Sequence, residues 1–277
     1  MHPLIGSEEL RARLGEPGLV VVDCRWKLGD PGAGERAWRA GRIPGAAFLD
    51  VDSDLSAPPG ERGRHPLPEP GDFAAAARRA GISAASTVVG YDEAGEGGAA
   101  RLWWLLRHFG HARAALLDGG LSAWRAAGGP IDDGEPRPAP PGDFEAHPRV
   151  DDVADAAELR ARAGDPGLVL LDARAPARYS GDHEPVDPVA GHIPGARNLP
   201  WADLAPGGRL PAPGELGARF SAVGAEAGAD VVAYCGSGVT AAGLVAAAAA
   251  AGIGPVRLYP GSWSEWCRTT EAPGGSA

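Results

Sequence analysis

The 277-residue chain is 44% hydrophobic and 22% charged, the balance of a folded protein with room for one large core or two ordinary ones, which excludes global disorder. A net charge of −10, a single lysine (Lys27) and no basic run speak against nucleic acid as a partner. Cys24, Cys235 and Cys267 form no CxxC pair, MHPLIGSEEL lacks the make-up of a signal peptide, and the longest small-apolar run, Thr240 to Ile253, is too short to span a bilayer, so a reduced, cytoplasmic protein without membrane association is expected.

From the amino terminus, the first buried-strand pattern is LVVVDCR, Leu19 to Arg25, which ends in an acid followed two residues on by an arginine. GRIPGAAFLD begins at Gly41, a helical stretch covers Phe73 to Ala80, and STVVGYDE surrounds Tyr91. A second helix spans Arg101 to Phe109, and LLDGGLSAW closes at Trp124. The stretch that follows holds six prolines between Pro130 and Pro148 and has no apolar period, as an extended, semi-rigid linker would.

The pattern then begins again. LVLLDAR runs from Leu168 to Arg174, GHIPGARNLP begins at Gly191, and a helix covers Glu215 to Ala222. DVVAYCGS surrounds Tyr234, a helix covers Thr240 to Ala251, and LYPGSWSEW closes at Trp266. The matches keep their order at an offset of roughly 140 to 150 residues, a domain length rather than a solenoid repeat. The chain is therefore expected to be a duplication, with one domain over 1–129, a linker over 130–149 and a second domain over 150–277. Short buried strands alternating with helices predict an α/β fold, each half a small parallel sheet flanked by helices.

The strongest chemical signal is Cys235, at the carboxyl end of a buried strand and followed by the loop CGSGVT and an alanine-rich helix. At that edge of an α/β sheet the amides of Gly236, Gly238, Val239 and Thr240 are expected to face the sulfur and favour thiolate over thiol, with the two glycines letting the loop curl around it. The matching position in the first half is Asp92, whose carboxylate can neither attack nor store sulfur. Only the second half is thus expected to perform thiol chemistry, with the first lending it side chains.

VVDCR and LLDAR, GRIPGA and GHIPGA, YCGSGVTA and the terminal GSWSEW together resemble the two-domain rhodaneses, the thiosulfate and 3-mercaptopyruvate sulfurtransferases, over nearly the whole chain. The resemblance implies that Cys235 takes sulfane sulfur from a small-molecule donor, becomes a persulfide and passes the sulfur to cyanide, thioredoxin or a small thiol, with no cofactor and no metal. Thiosulfate enzymes in this family carry basic residues just after the cysteine, where this chain has Gly236 and Ser237, so the loop is closer to the 3-mercaptopyruvate branch. That branch implies Arg178, in ARYSG, as the partner of the donor carboxylate, and an Asp52, His65 and Ser237 trio as a proton relay. Its second arginine, in an EPR segment, is here Val186 of HEPVDP.

Three other readings are open at this stage: thiosulfate as the main donor, a non-catalytic persulfide carrier or regulatory module, and a cysteine phosphatase. The last needs an arginine six residues after the cysteine, where Ala241 stands. His108 and His111 lack a third ligand and read as a partly exposed helix face, and GEGGAA near Gly97 lacks the spacing of a dinucleotide loop. Trp263 and Trp266 read as core or interdomain packing, with Trp263, beside the GS turn, also a candidate wall of the pocket; Cys24 reads as a core residue and Cys267 as a candidate redox switch, both outside the site.

Overall fold

The computed structural model describes residues 1–268 and contains two compact units. The first unit comprises Met1–Ala57, Pro68–Arg149 and Pro206–Leu210. Its parallel sheet has strands β1 (Leu4–Ile5), β2 (Leu19–Asp23), β3 (Ala47–Phe48), β4 (Thr87–Tyr91) and β5 (Ala114–Leu117), in the order β1-β5-β4-β2-β3. β4 is buried along its whole length, as the apolar TVVGY requires of a central parallel strand. Helices Ala33–Ala40, Pro70–Arg79, Gly98–His108 and Gly120–Ala126 belong to the same unit.

The second unit comprises Pro58–Leu67, Val150–Ala205 and Pro211 onward. Its strands β6 (Leu168–Asp172), β7 (Arg197–Asn198), β8 (Asp230–Tyr234) and β9 (Val256–Leu258) are all parallel, in the order β7-β6-β8-β9. Read from the other edge, this is the β5-β4-β2-β3 order of the first unit. A single parallel bridge from Val153 to Leu258 stands where β1 pairs with β5. A core of Leu170, Val232, Tyr234, Tyr259, Trp263 and Trp266 is buried among the second unit's elements, so both tryptophans are packing residues.

The repeated motifs are buried polar locks. Arg25 pairs with Asp23 at 2.6 Å and donates to the Gly41 carbonyl at 2.8 Å, while Arg174 pairs with Asp172 at 2.7 Å and donates to Gly191 at 2.6 Å. The Tyr91 hydroxyl accepts from the Ile43 amide at 3.2 Å, and the Tyr234 hydroxyl from Ile193 at 3.1 Å. Each lock ties the end of a strand to the IPGA turn and leaves its buried charge paired, as a buried ion pair must be to persist.

Three stretches depart from the contiguous division read from the sequence: residues 58–67, the proline-rich stretch, and Pro206–Leu210, which falls in the first unit. Residues 58–67 lie in the second unit, held by the Arg64 amide donating to Ser264 Oγ (2.9 Å) and by the ion pair of Arg64 with Asp187 (2.7 Å). The proline-rich stretch belongs to the first unit, where Gly142, Phe144 and His147 donate backbone hydrogen bonds to Arg78, Ile82 and Phe109 and Phe144 is buried. Extended backbone leaves its amides free to bond a folded surface, and the buried Phe144 ring adds apolar contact there.

His108 and His111 also differ from expectation. The helix ends at His108, and both imidazoles are buried, His108 stacked on Trp104 with ring centroids 4.8 Å apart. Among the described residues no helix is long and apolar enough to cross a membrane, and no group of three His, Cys, Asp or Glu side chains is placed to hold a metal ion.

Candidate active site

In the second unit β8 ends at Tyr234, the loop runs from Cys235 to Thr240, and a helix spans Ala241–Ala250. Cys235 is 2% exposed and its Sγ accepts the Gly238 amide at 3.1 Å. Gly238 has φ +77°, and a Cβ there would stand 2.5 Å from the Pro260 carbonyl oxygen, so both conformation and space demand glycine. Ser237 is buried beside it, with Oγ 2.7 Å from His65 Nδ1. Val239 is buried and Thr240 half-buried at the start of the helix. The loop is fixed from below by the Trp263 amide on the Cys235 carbonyl (3.0 Å) and the Ser264 amide on the Gly236 carbonyl (2.9 Å).

Two guanidinium groups stand over Gly236. A Cβ on that residue would lie 3.2 Å from Arg64 Nη2 and 3.4 Å from both Arg178 Nη1 and Nη2. Arg178 pairs with Glu184 (2.8 Å) and Asp187 (3.0 Å), and Arg64 pairs with the same Asp187. Burial alone would raise the Glu184 carboxyl, but the Arg178 guanidinium and the Asp187 and Val186 amides hold it below its ordinary range. The HEPVDP segment therefore supplies not a second arginine but an aspartate that braces two.

Arg64 escaped the sequence reading, although it adjoins His65. The loop itself carries no cation, yet two arginines from other segments flank it. Asp52 belongs to the first unit, where it accepts from Trp26 Nε1 at 2.9 Å.

The other two thiols have different surroundings. Burial, then the charges of Asp23 and Asp92, pushes the Cys24 thiol well above its ordinary value. Burial and the Asp187 charge likewise raise Cys267.

In the first unit the corresponding loop is filled by its own carboxylates. Asp92 accepts the Gly95, Gly97 and Ala99 amides at 2.7, 3.0 and 3.3 Å, and Glu96 accepts those of Glu93 and Ala94 at 3.0 and 3.1 Å. In GEGGAA, Gly95 and Gly97 have positive φ, and a Cβ on Gly98 would collide with the Cys24 carbonyl. Burial, then the Glu96 charge, pushes the Asp92 carboxyl up to about 7 against the pull of those amides. A raised value means that the folded state holds its proton more tightly than the unfolded chain. The stability this gives is fully present below about pH 4 and lost as pH rises through about 7. Asp92→Asn should accordingly flatten the pH dependence of the melting temperature between those limits, and an unchanged slope in thermal unfolding would show that Asp92 does not carry it.

A family model described as a rhodanese-like domain matches residues 7–127 and 155–269. The chain belongs to the rhodanese family. It is 48% identical over 275 residues to a probable 3-mercaptopyruvate sulfurtransferase of Pseudomonas aeruginosa, covering 98% of this chain and 96% of the relative. A putative thiosulfate sulfurtransferase of Mycobacterium tuberculosis is 43% identical over the same shares of both chains. The crystal structure of an Escherichia coli 3-mercaptopyruvate sulfurtransferase is similar with a TM-score of 0.81 at 32% identity, covering 96% of this chain and all of that one. This rhodanese is thus a sulfurtransferase with two tandem copies of the family's domain.

Proposed function

We propose that this rhodanese moves sulfane sulfur from 3-mercaptopyruvate to a thiophilic acceptor through a persulfide on Cys235. The observation that carries the reading is the 2.7 Å contact of His65 Nδ1 with Ser237 Oγ, two residues from a cysteine whose sulfur already accepts a backbone amide. A thiol donor needs such a pair and thiosulfate, which has no thiol proton, does not.

In the first half-reaction Cys235 Sγ, as thiolate, attacks the donor sulfur, and the donor's carbon–sulfur bond breaks with its electron pair passing to the enolate of pyruvate. The donor's thiol proton remains on the outer sulfur of the new persulfide. Ser237, polarised by His65, passes that proton to the enolate, which leaves as pyruvate. In the second half-reaction cyanide, thioredoxin or a small thiol attacks the outer sulfur and Cys235 leaves as thiolate, held by the Gly238 amide.

Arg178 and Arg64 are assigned to the donor carboxylate, and the Gly236, Gly238, Val239 and Thr240 backbone to the sulfur. Two arginines braced by Glu184 and Asp187 make the surroundings of Gly236 nearly neutral, which suits a monoanion better than a dianion. The three unpaired cysteines support cytoplasmic residence.

Thiosulfate as the main donor is the second reading, favoured by the two guanidiniums over Gly236 and by the name of the Mycobacterium relative. Comparing kcat/KM for the two donors with cyanide as common acceptor separates them. The reading expects 3-mercaptopyruvate to be turned over at least about tenfold more efficiently, a difference of roughly 1.4 kcal/mol. Faster thiosulfate turnover would overturn the donor assignment and leave the sulfurtransferase activity standing.

A further inference from the structure

Among the described residues Ser262 is the only non-glycine with a positive φ, at +53°, and it is fully buried. A left-handed backbone disfavours any residue with a Cβ by roughly 1 to 2 kcal/mol, and a buried serine gains nothing from solvent in return. The chain itself displays the unstrained alternative. In the first unit the matching residue of LLDGGLSAW is Gly120, with φ +59°.

The two turns otherwise do the same work. Leu121 and Ser122 donate to the Asp92 and Glu93 carbonyls at 2.9 and 3.0 Å, as Trp263 and Ser264 donate to those of Cys235 and Gly236 at 3.0 and 2.9 Å. A Cβ on Gly120 would stand 2.6 Å from the Asp92 carbonyl oxygen, so the turn presses against the loop at this position. Serine replaces glycine only in the copy that holds the cysteine.

What the serine adds is a hydroxyl placed between two backbone groups. Ser262 Oγ accepts the Cys235 amide at 3.1 Å and donates to the Tyr259 carbonyl at 2.8 Å. Donating to Tyr259 turns the oxygen lone pairs toward the Cys235 amide. The nucleophile's main chain is then held at its amide by Ser262 and at its carbonyl by Trp263, leaving the Gly238 amide to meet the sulfur.

We propose that Ser262 is a positioning residue for sulfur transfer: its hydroxyl, kept in a strained turn, fixes the Cys235 backbone so that the thiolate sits on the Gly238 amide. The proposal rests on Cys235 as the sulfur carrier, and it is tested without turnover, so an error in the donor assignment leaves the test intact.

The experiment measures iodoacetamide alkylation of Cys235 across pH, read by mass spectrometry of its peptide, in wild type, Ser262→Gly and Ser262→Ala, alongside their melting temperatures. Ser262→Gly relieves the strain, and Gly120 shows that this turn folds with glycine. Alkylation at pH 7 should slow by roughly threefold to tenfold in both variants, the scale of one lost hydrogen bond, with the pH midpoint displaced upward. Ser262→Gly should melt at or above the temperature of Ser262→Ala. A wild-type alkylation profile in Ser262→Gly, whatever its melting temperature, would overturn the proposal and leave Ser262 a packing residue.

Discussion

Cys235→Ser is expected to lower sulfur transfer by a factor on the order of 10³ or more, because the hydroxyl left in its place is neither ionised near neutral pH nor able to form a persulfide. Cys24→Ser and Cys267→Ser should retain most of the activity. The contrast follows from surroundings rather than from residue type. Cys235 lies in the loop between β8 and the following helix, where its sulfur accepts the Gly238 amide beside the buried Ser237–His65 pair, whereas burial and carboxylate charge raise the Cys24 and Cys267 thiols. Thiocyanate formation measured for the three variants checks this. Substantial turnover by Cys235→Ser would mean that another group carries the sulfur.

Arg178→Ala is expected to reduce kcat/KM for 3-mercaptopyruvate by roughly thirty- to 150-fold, corresponding to about 2 to 3 kcal/mol for a lost charge-assisted contact to the donor carboxylate. Its guanidinium also braces Glu184 and Asp187, so some stability should be lost as those carboxylates lose a partner. Kinetics separate the two effects. Loss of donor binding raises KM for the carboxylate donor and leaves KM for cyanide unchanged, whereas general distortion moves both. Arg178→Lys keeps the charge without the planar fork and should recover only part of the loss. Equal losses for both substrates would remove Arg178 from the donor site.

The parts of this protein legible in its sequence are those fixed by local pattern. LVVVD and LVLLD announce buried parallel strands, and the IPGA turns and their acid–arginine pairs recur because each unit needs the same buried polar lock. Cys235 is visible because glycines flank it between a strand and a helix. Its contrast with Asp92 is visible because the two halves can be laid side by side.

What local pattern cannot carry was missed. Residues 58–67 lie in the second unit through bonds that reach 200 positions along the chain, from Arg64 to Ser264, and no periodicity records such a pairing. Arg64 is one arginine in a loop of glycine, arginine and proline, and its neighbour His65 was the only hint that it mattered. His108 and His111 were read as exposed because a polar side chain on a helical pattern usually faces water. Here the helix stops at His108, and aromatic neighbours close over the imidazole.

The central claim is that sulfur is carried on Cys235, and the most direct measurement is mass spectrometry of the wild-type enzyme after treatment with 3-mercaptopyruvate in the absence of acceptor. The Cys235 peptide should gain one sulfur atom, and cyanide should then remove it with stoichiometric release of thiocyanate. An added sulfur on the Cys24 or Cys267 peptide, or thiocyanate formed while the Cys235 peptide stays unmodified, would contradict the account.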